Sequence, residues 1–151
     1  QNLVKVPSLD GAGKMSKSEN QMATLYLADN DDMIIKKVMK AKTDSGPTEK
    51  NAPKPDYIEN IFLLMNLVCN AEIVQKFEEA YNNCSIRYGD VKKQLAADMV
   101  NFIAPIRNKV DAILQDEEGL KQIMQKGAEK ANKSAAETMK LVREAMGLNY
   151  F

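Results

Sequence analysis

The sequence GAGKMSKS, residues 11–18, is the stretch from which the architecture and the activity of this chain are predicted. Lys14 and Lys17 stand three positions apart, and serines flank Lys17 on both sides. Gly11 and Gly13 allow backbone conformations that other residues resist, so the lysines are expected on a loop that can close over a ligand. Two ammonium groups on such a loop suit a polyphosphate, whose negative charge they can stabilise.

Composition favours a single helical domain. The chain has 151 residues, of which 44% are hydrophobic, enough for a modest buried core. Aromatic residues reach only 6% and tryptophan is absent, which argues against a β-sandwich and for a mainly α fold. The 21 basic and 21 acidic residues balance, so any contact with a nucleic acid has to come from a local patch.

Several kinds of chemistry are excluded by what the sequence lacks. The chain contains no histidine, the commonest general base and metal ligand. Its two cysteines, Cys69 and Cys84, are too few and too far apart for a four-ligand zinc or iron–sulfur site. No apolar run is long enough to span a membrane, and no leader pattern is visible. We therefore predict a cytoplasmic protein with reduced thiols, no zinc, no iron–sulfur cluster and no metal site.

The first thirteen residues have the pattern of a strand that enters a loop. Leu3, Val4 and Val6 give a short apolar alternation around Lys5, and Pro7 and the glycines follow. A lone strand has no pairing partner in so short a segment. We therefore expect it to belong to a sheet formed by preceding sequence, and we interpret the chain as a C-terminal fragment.

The remainder has the spacing of apolar residues typical of helices. Residues 22–27 fit either a short strand or an extended packing segment. The apolar spacings and cap residues predict helices over residues 31–42, 57–69, 71–83, 88–114 and 117–146. The second and third should pack as a hairpin, and Pro105 should kink the fourth without ending it. Residues 117–146 fit either one long helix or two stacked helices with a hinge at Gly127, and an apolar row that includes Ile123, Met124 and Met139 is expected to face inward.

Two basic stretches of the sequence are candidates for contact with a nucleic acid. The first predicted helix carries four lysines, for which a solvated polar face is the favoured interpretation: Lys36, Lys37, Lys40 and Lys42. From Gly119 onward the last helix has six basic residues against three acidic ones. This excess of three is a mild bias that is compatible with phosphate contacts but does not by itself indicate RNA.

The pentad at residues 14–18 resembles the second signature of class I aminoacyl-tRNA synthetases, letter for letter. Nearly the whole chain resembles the C-terminal portion of the bacterial tryptophanyl-tRNA synthetase family. The similar segments are Val6-Pro7, the run from 35–37 to the Thr-Asp-Ser turn at 43–45, and two stretches near the end, 127–133 and 144–148. The lead-in at 11–13 departs from the Asp-Pro-Thr-Lys type that is frequent in the family.

This resemblance implies roles for the residues of the loop. Lys14 and Lys17 would be the catalytic residues, contacting the phosphates of ATP, which is a substrate that comes with Mg²⁺ in the parent enzyme. Met15 and Val6 would line the adenine through backbone groups, and two serines would support the loop. The ATP-binding residues implied are Val6, Lys14, Met15, Ser16, Lys17 and Ser18.

The resemblance also implies a division of the chain and a set of partners. Residues 1–28 would end a Rossmann-type catalytic domain, and residues 29–151 would form a helical anticodon-binding domain that contacts tRNA(Trp). The family's histidine signature and tryptophan pocket would lie upstream, because this chain has no histidine. The parent would be a homodimeric ligase, whereas the fragment alone is expected to be an inactive monomer.

Two alternatives stay open at this point. Tyrosyl-tRNA synthetase shares the architecture, although its tail matches the end of this chain less well. The other alternative belongs to a different class, a helical interaction module whose basic loop has no connection with ATP.

Overall fold

A computed structural model describes residues 5–11, 13–18 and 20–148. After a short 3₁₀ turn at Gln21–Ala23 these residues form five helices: α1 (Asp31–Met39), α2 (Asp56–Val68), α3 (Ala71–Asn82), α4 (Tyr88–Gln115) and α5 (Glu117–Met146). The mainly α fold is confirmed. The described residues contain no strand, only one antiparallel bridge between Pro7 and Lys14. Leu3 and Val4 of the expected strand lie outside the described residues.

Side-chain caps fix the starts of several helices, because the first amides of a helix have no partner inside it. The Asn30 side chain accepts a hydrogen bond from the Met33 amide, 2.8 Å, at the start of α1. Asp116 does the same for the Gly119 amide, 3.0 Å, at the start of α5. Helix α5 ends at Met146 and is capped by Gly147, whose φ of 68° is the left-handed conformation of a C-terminal cap. Helix α1 ends at Met39, three residues before the predicted end.

Helix α4 continues through Pro105. The prediction that this proline does not end the helix is therefore confirmed. A proline inside a helix removes one backbone donor, and the long runs of helix on either side supply the remaining hydrogen bonds. The kink expected near residues 101–102 stays a prediction.

Helices α2 and α3 pack as the predicted hairpin. The rings of Phe62 and Tyr81 meet edge to face with centroids 6.2 Å apart. Residues from the N-terminal segment join this core, among them Leu9, Ala23 and Ile34. Neither alternative describes the whole of residues 22–27: Met22 and Ala23 belong to the 3₁₀ turn, the backbone of Thr24 is extended, and no described residue of this stretch is in a strand.

The chain divides into two compact units, one ending at Arg107 and the other beginning at Asn108. No described residue of α5 is buried, and Ile123 is 67% exposed. The prediction that an apolar row of this helix faces inward is therefore wrong within the unit that begins at Asn108. Besides α5, the described helical residues of that unit are the last turns of α4. The functional division proposed from the sequence, at residues 28 and 29, is a different boundary and stays a prediction. None of the described helices combines the length and the apolar character that crossing a membrane requires.

Candidate functional site

Backbone hydrogen bonds hold the segment around the lysine loop as a narrow hairpin. The Met15 amide donates to the Val6 carbonyl, 2.8 Å, and the Ser8 amide donates to the Gly13 carbonyl, 2.8 Å. The Leu9 amide then donates to the carbonyl of Ala23, 3.0 Å. The loop is thus fixed at its base to the buried part of the molecule.

Glycine is required at position 11 for two reasons. Its φ is +79°, which L side chains rarely adopt, and a Cβ added there would lie 2.7 Å from the Cβ of Tyr57 in α2. The lead-in of the loop therefore rests directly on the first turn of α2. Gly13 has a φ of +113°, but a Cβ added to it would meet no described atom within 4 Å, so only its backbone conformation favours glycine.

The two lysines of the loop project into solvent. Lys14 and Lys17 are exposed, and neither forms an ion pair with any residue that the structure describes. The hydroxyls of Ser16 and Ser18 lie 2.9 Å apart, and the Ser18 amide points at the Ser16 hydroxyl at 3.4 Å. Both ammonium groups are therefore available to an external anion.

Lys14 lies between two concave surfaces. The larger, about 800 Å³, is mostly apolar and is lined by Lys5, Val6, Lys14, Met15, Leu25, Leu27, Leu64, Leu67, Val68, Met99, Phe102 and Ile103. The smaller, about 490 Å³, includes the carboxylates of Asp56 and Glu59 and is lined on the loop side by Pro7, Gly11, Gly13 and Lys14. The larger one joins an apolar wall to a cation, which suits a flat apolar ring carrying an anionic group.

Two buried polar residues behind the loop were missed by the sequence interpretation. The Thr24 hydroxyl donates to the Ser16 carbonyl, 3.1 Å, and Lys37 donates to the Thr24 carbonyl, 2.8 Å. Lys37 is only 4% exposed, so the solvated face predicted for the four lysines of the first predicted helix is wrong at this position. Lys37 follows the fully buried Ile34 by three residues, and this spacing on one helical face was the available signal.

The turn after α1 is tied to α2 and α4. The Lys92 ammonium donates to the Ala41 carbonyl, 2.7 Å, and to the Thr43 hydroxyl, 2.9 Å, and burial lowers the pKa of Lys92. Burial works to raise the pKa of Asp44, but hydrogen bonds from the Gly46 amide and the Tyr57 hydroxyl hold it below its ordinary value of 3.8. The same hydrogen bond to Asp44 is the main reason why the pKa of Tyr57 is raised.

Metal ligands are not gathered at this site. Over the described ranges no three histidine, cysteine, aspartate or glutamate side chains form a group that could hold a metal ion. The described polar groups of the loop are ammonium and hydroxyl groups, which do not suit Mg²⁺, a cation that prefers carboxylate and phosphate oxygens. The described residues of the loop therefore do not by themselves fit Mg²⁺.

Sequence comparison defines the class of protein. The family described as tRNA synthetases class I (W and Y) matches residues 4–104. The match covers about two thirds of the chain, and the chain therefore belongs to this family.

Within this family, individual relatives show which members the chain resembles. The chain is 51% identical over 144 residues to the tryptophan--tRNA ligase of Porphyromonas gingivalis, covering 95% of this chain and 43% of that protein. It superimposes with a TM-score of 0.75 and 28% identity on tryptophanyl-tRNA synthetase from Campylobacter jejuni complexed with ADP and tryptophan, covering 97% of this chain and 44% of the other. Tyrosyl-tRNA synthetase from Aeropyrum pernix, at 22% identity and a TM-score of 0.54, shares the fold. The chain thus spans less than half of the relatives it matches.

Proposed function

We propose that this chain is the C-terminal part of a tryptophan–tRNA ligase, which activates tryptophan with ATP and transfers it to tRNA(Trp). One observation carries the proposal. In a chain of this family, two exposed and unpaired lysines stand on a loop whose base is fixed, beside an apolar concave surface. A cytoplasmic location follows from this function.

Lys14 and Lys17 act on the charge that develops during activation. The tryptophan carboxylate attacks the α-phosphorus of ATP, a new P–O bond forms, and the bond to the departing pyrophosphate breaks. Negative charge grows on the pyrophosphate, and ammonium groups placed there lower the barrier. Both lysines fit this role because no described side chain neutralises them.

The adenine is proposed to lie at the larger concave surface, between Val6 and Met15 and the apolar wall. The Val6 carbonyl and the Met15 amide already bond to each other, so the backbone contacts with adenine fall to the other polar groups of these residues. Ser16 and Ser18, whose hydroxyls are in contact, support the loop.

The other substrates are assigned to the parent enzyme. The tryptophan pocket and the histidine signature lie outside this chain, and Mg²⁺ enters with ATP. Residues 1–28 complete the catalytic domain, and the helices of residues 29–151 contact tRNA(Trp). The parent is a homodimer, and the isolated chain is a monomer.

ATP–pyrophosphate exchange tests the proposal. The full-length protein that contains this segment should catalyse exchange with tryptophan and not with tyrosine, and the isolated 151-residue chain should show no exchange. Exchange driven by tyrosine would instead identify a tyrosyl enzyme. Turnover by the isolated chain at the rate of the full-length protein would overturn the assignment of the missing pocket.

Replacing a loop lysine tests its role. Lys17→Ala in the full-length protein should lower the exchange rate by about a hundredfold, because one ammonium contact to the leaving group is lost. Lys36→Ala, an exposed lysine of α1, is the matched control and should leave the rate unchanged. An unchanged rate in Lys17→Ala would favour a helical interaction module whose loop does not bind ATP.

A further inference from the structure

We propose that Thr24, Lys37 and Asp29 form a buried brace that positions the lysine loop for catalysis. They are positioning residues, because they act on the loop through the backbone of Ser16. The inference rests on the proposed function for the reaction that the loop serves. It assigns roles to three residues that lie outside the signature pentad.

The brace reaches the loop at a single point. The Thr24 hydroxyl donates to the carbonyl of Ser16, 3.1 Å, in the middle of the pentad. Thr24 is itself only 6% exposed, so bulk water has little access to this residue. A hydrogen bond from a fixed buried donor restricts where the Ser16 backbone lies. Ser16 is two positions after Lys14 and directly precedes Lys17.

Lys37 fixes Thr24 from behind. Its ammonium donates to the Thr24 carbonyl, 2.8 Å, and to the Asp29 carboxylate, 2.6 Å, and lies 4.5 Å from the centre of the Tyr26 ring. Burying an ammonium group is unfavourable unless every donor finds a partner. Here the partners hold both ends of the segment from Thr24 to Asp29.

Asp29 closes the segment on itself and links it to α4. Its carboxylate also accepts a hydrogen bond from the Tyr26 amide, 2.9 Å. Arg107 of α4 donates to the backbone carbonyl of Asp29 and, at 2.6 Å, to the carboxylate of Asp31. The loop, the brace and Arg107 are therefore joined by one continuous series of hydrogen bonds within the unit that ends at Arg107.

Rigid support of this kind affects the reaction more than it affects substrate binding. Charge stabilisation depends on where the ammonium groups stand when the pyrophosphate departs, and a displacement of about 1 Å can lower a rate about a hundredfold. The tryptophan pocket is assigned to other parts of the enzyme. Loss of the brace should therefore lower kcat and leave the KM for tryptophan unchanged.

Matched substitutions at Thr24 in the full-length synthetase test the brace. Thr24→Val keeps the branched shape and removes the donor, and it should lower kcat of ATP–pyrophosphate exchange about tenfold with the KM for tryptophan unchanged. Thr24→Ser restores the hydroxyl and should recover kcat to within about twofold of the wild type. Equal kcat in the Val variant and the wild type would overturn the proposal, as would a failure of serine to restore the rate.

Lys37→Met supplies an independent variant, with Lys36→Met as the exposed control on the same helix. Lys37→Met should lower kcat at least as much as Thr24→Val, and Lys36→Met should not change it. Rates are compared per folded molecule, well below each variant's unfolding midpoint. If a lower midpoint accounts for the whole loss, Lys37 is merely structural and the proposal fails.

Amide hydrogen exchange in the 151-residue chain separates the brace from the proposed function, because it needs no catalysis. The Met15 amide, which donates to Val6, should exchange about tenfold faster in Thr24→Val than in the wild type. Unchanged exchange overturns the brace. A different result would separate the two proposals. If the wild-type enzyme shows no tryptophan-dependent ATP–pyrophosphate exchange but the Met15 amide hydrogen exchanges faster in Thr24→Val as expected, the proposed function fails and the brace stands as a support of the loop.

Discussion

Among single residues, the two cysteines differ in burial and therefore in expected reactivity. Burial, and then a hydrogen bond to Asp98, raises the pKa of Cys69 to about 12. Cys84 is exposed, in a backbone conformation with a φ of +56°. Since the thiolate is the reactive form, the two thiols should differ in their rates of alkylation and disulfide exchange.

At pH 8 an aromatic disulfide reagent should modify one thiol per chain quickly. The thiolate fraction of Cys69 at this pH is about one in ten thousand, so its reaction should be at least a hundredfold slower than that of Cys84. Raising the pH toward 12 should speed the slow phase. Cys84→Ser should abolish the fast phase and Cys69→Ser should leave it. Two thiols reacting at one rate would contradict this prediction.

Among the structural elements, the turn that joins α1 to α2 depends on one carboxylate. Asp44 accepts hydrogen bonds from the Gly46 amide, 2.8 Å, and from the Tyr57 hydroxyl, 3.0 Å. Its pKa lies below its ordinary value in the folded state. The stabilisation is therefore fully present above the unfolded pKa, near 3.8, and is lost as the pH falls through the lower folded pKa.

Replacing this carboxylate should make the turn less sensitive to acid. Asp44→Asn should lower the free energy of unfolding at pH 7 by about 1 kcal/mol, less than is usual for a hydrogen bond to a charged group because the residue is exposed. Urea titrations at pH 7 and near pH 2.5 should show this difference shrinking in acid. Asp111→Asn, an exposed carboxylate in α4, is the control. If the two proteins differ as much in free energy of unfolding near pH 2.5 as at pH 7, the negative charge of Asp44 is not the source of the stabilisation.

The helices themselves were predictable, because local spacing and caps determine them. The starts of α3, α4 and α5 were predicted to the residue, and that of α2 within one residue. The end of α1 was placed too late, since the lysines after Met39 continue the composition of a helix without continuing its hydrogen bonds. The burial of Lys37 was missed because its partner, Asp29, lies in irregular chain eight residues earlier, where no period links the two.

The whole molecule keeps its buried residues in one part of the sequence. Every described residue of the core lies between Leu9 and Ile103. The exposed row of α5 could not be foreseen, since an apolar spacing predicts a face and does not say what covers it. The sequence did identify the loop, because its charge and glycines are local, whereas its hydrogen bonds to Thr24 and Ala23 depend on the folded chain.

This distribution of the core predicts the effect of shortening the chain. A chain ending at Gln115 should keep an unfolding midpoint within about 3 °C of the 151-residue chain, since the helix removed buries no side chain. A chain ending at Asp98 is the control, and it should lose several kcal/mol because buried Met99 and Ile103 are removed. Thermal unfolding followed by circular dichroism measures both. A large fall in the unfolding midpoint of the chain that ends at Gln115 would show that α5 stabilises the core.

The contact between Gly11 and Tyr57 has a consequence for the equilibrium between loop conformations. The missing methyl group is what lets the lead-in rest against α2. A side chain at position 11 would be strained in the docked form and relieved in any form that lifts away from the helix. Such a substitution would shift the equilibrium from the docked form toward the lifted form. The shift equals the difference between its effects on the free energies of the two forms. Residue 11 is thus a place where the resting state of the loop can be tuned without altering a single charge.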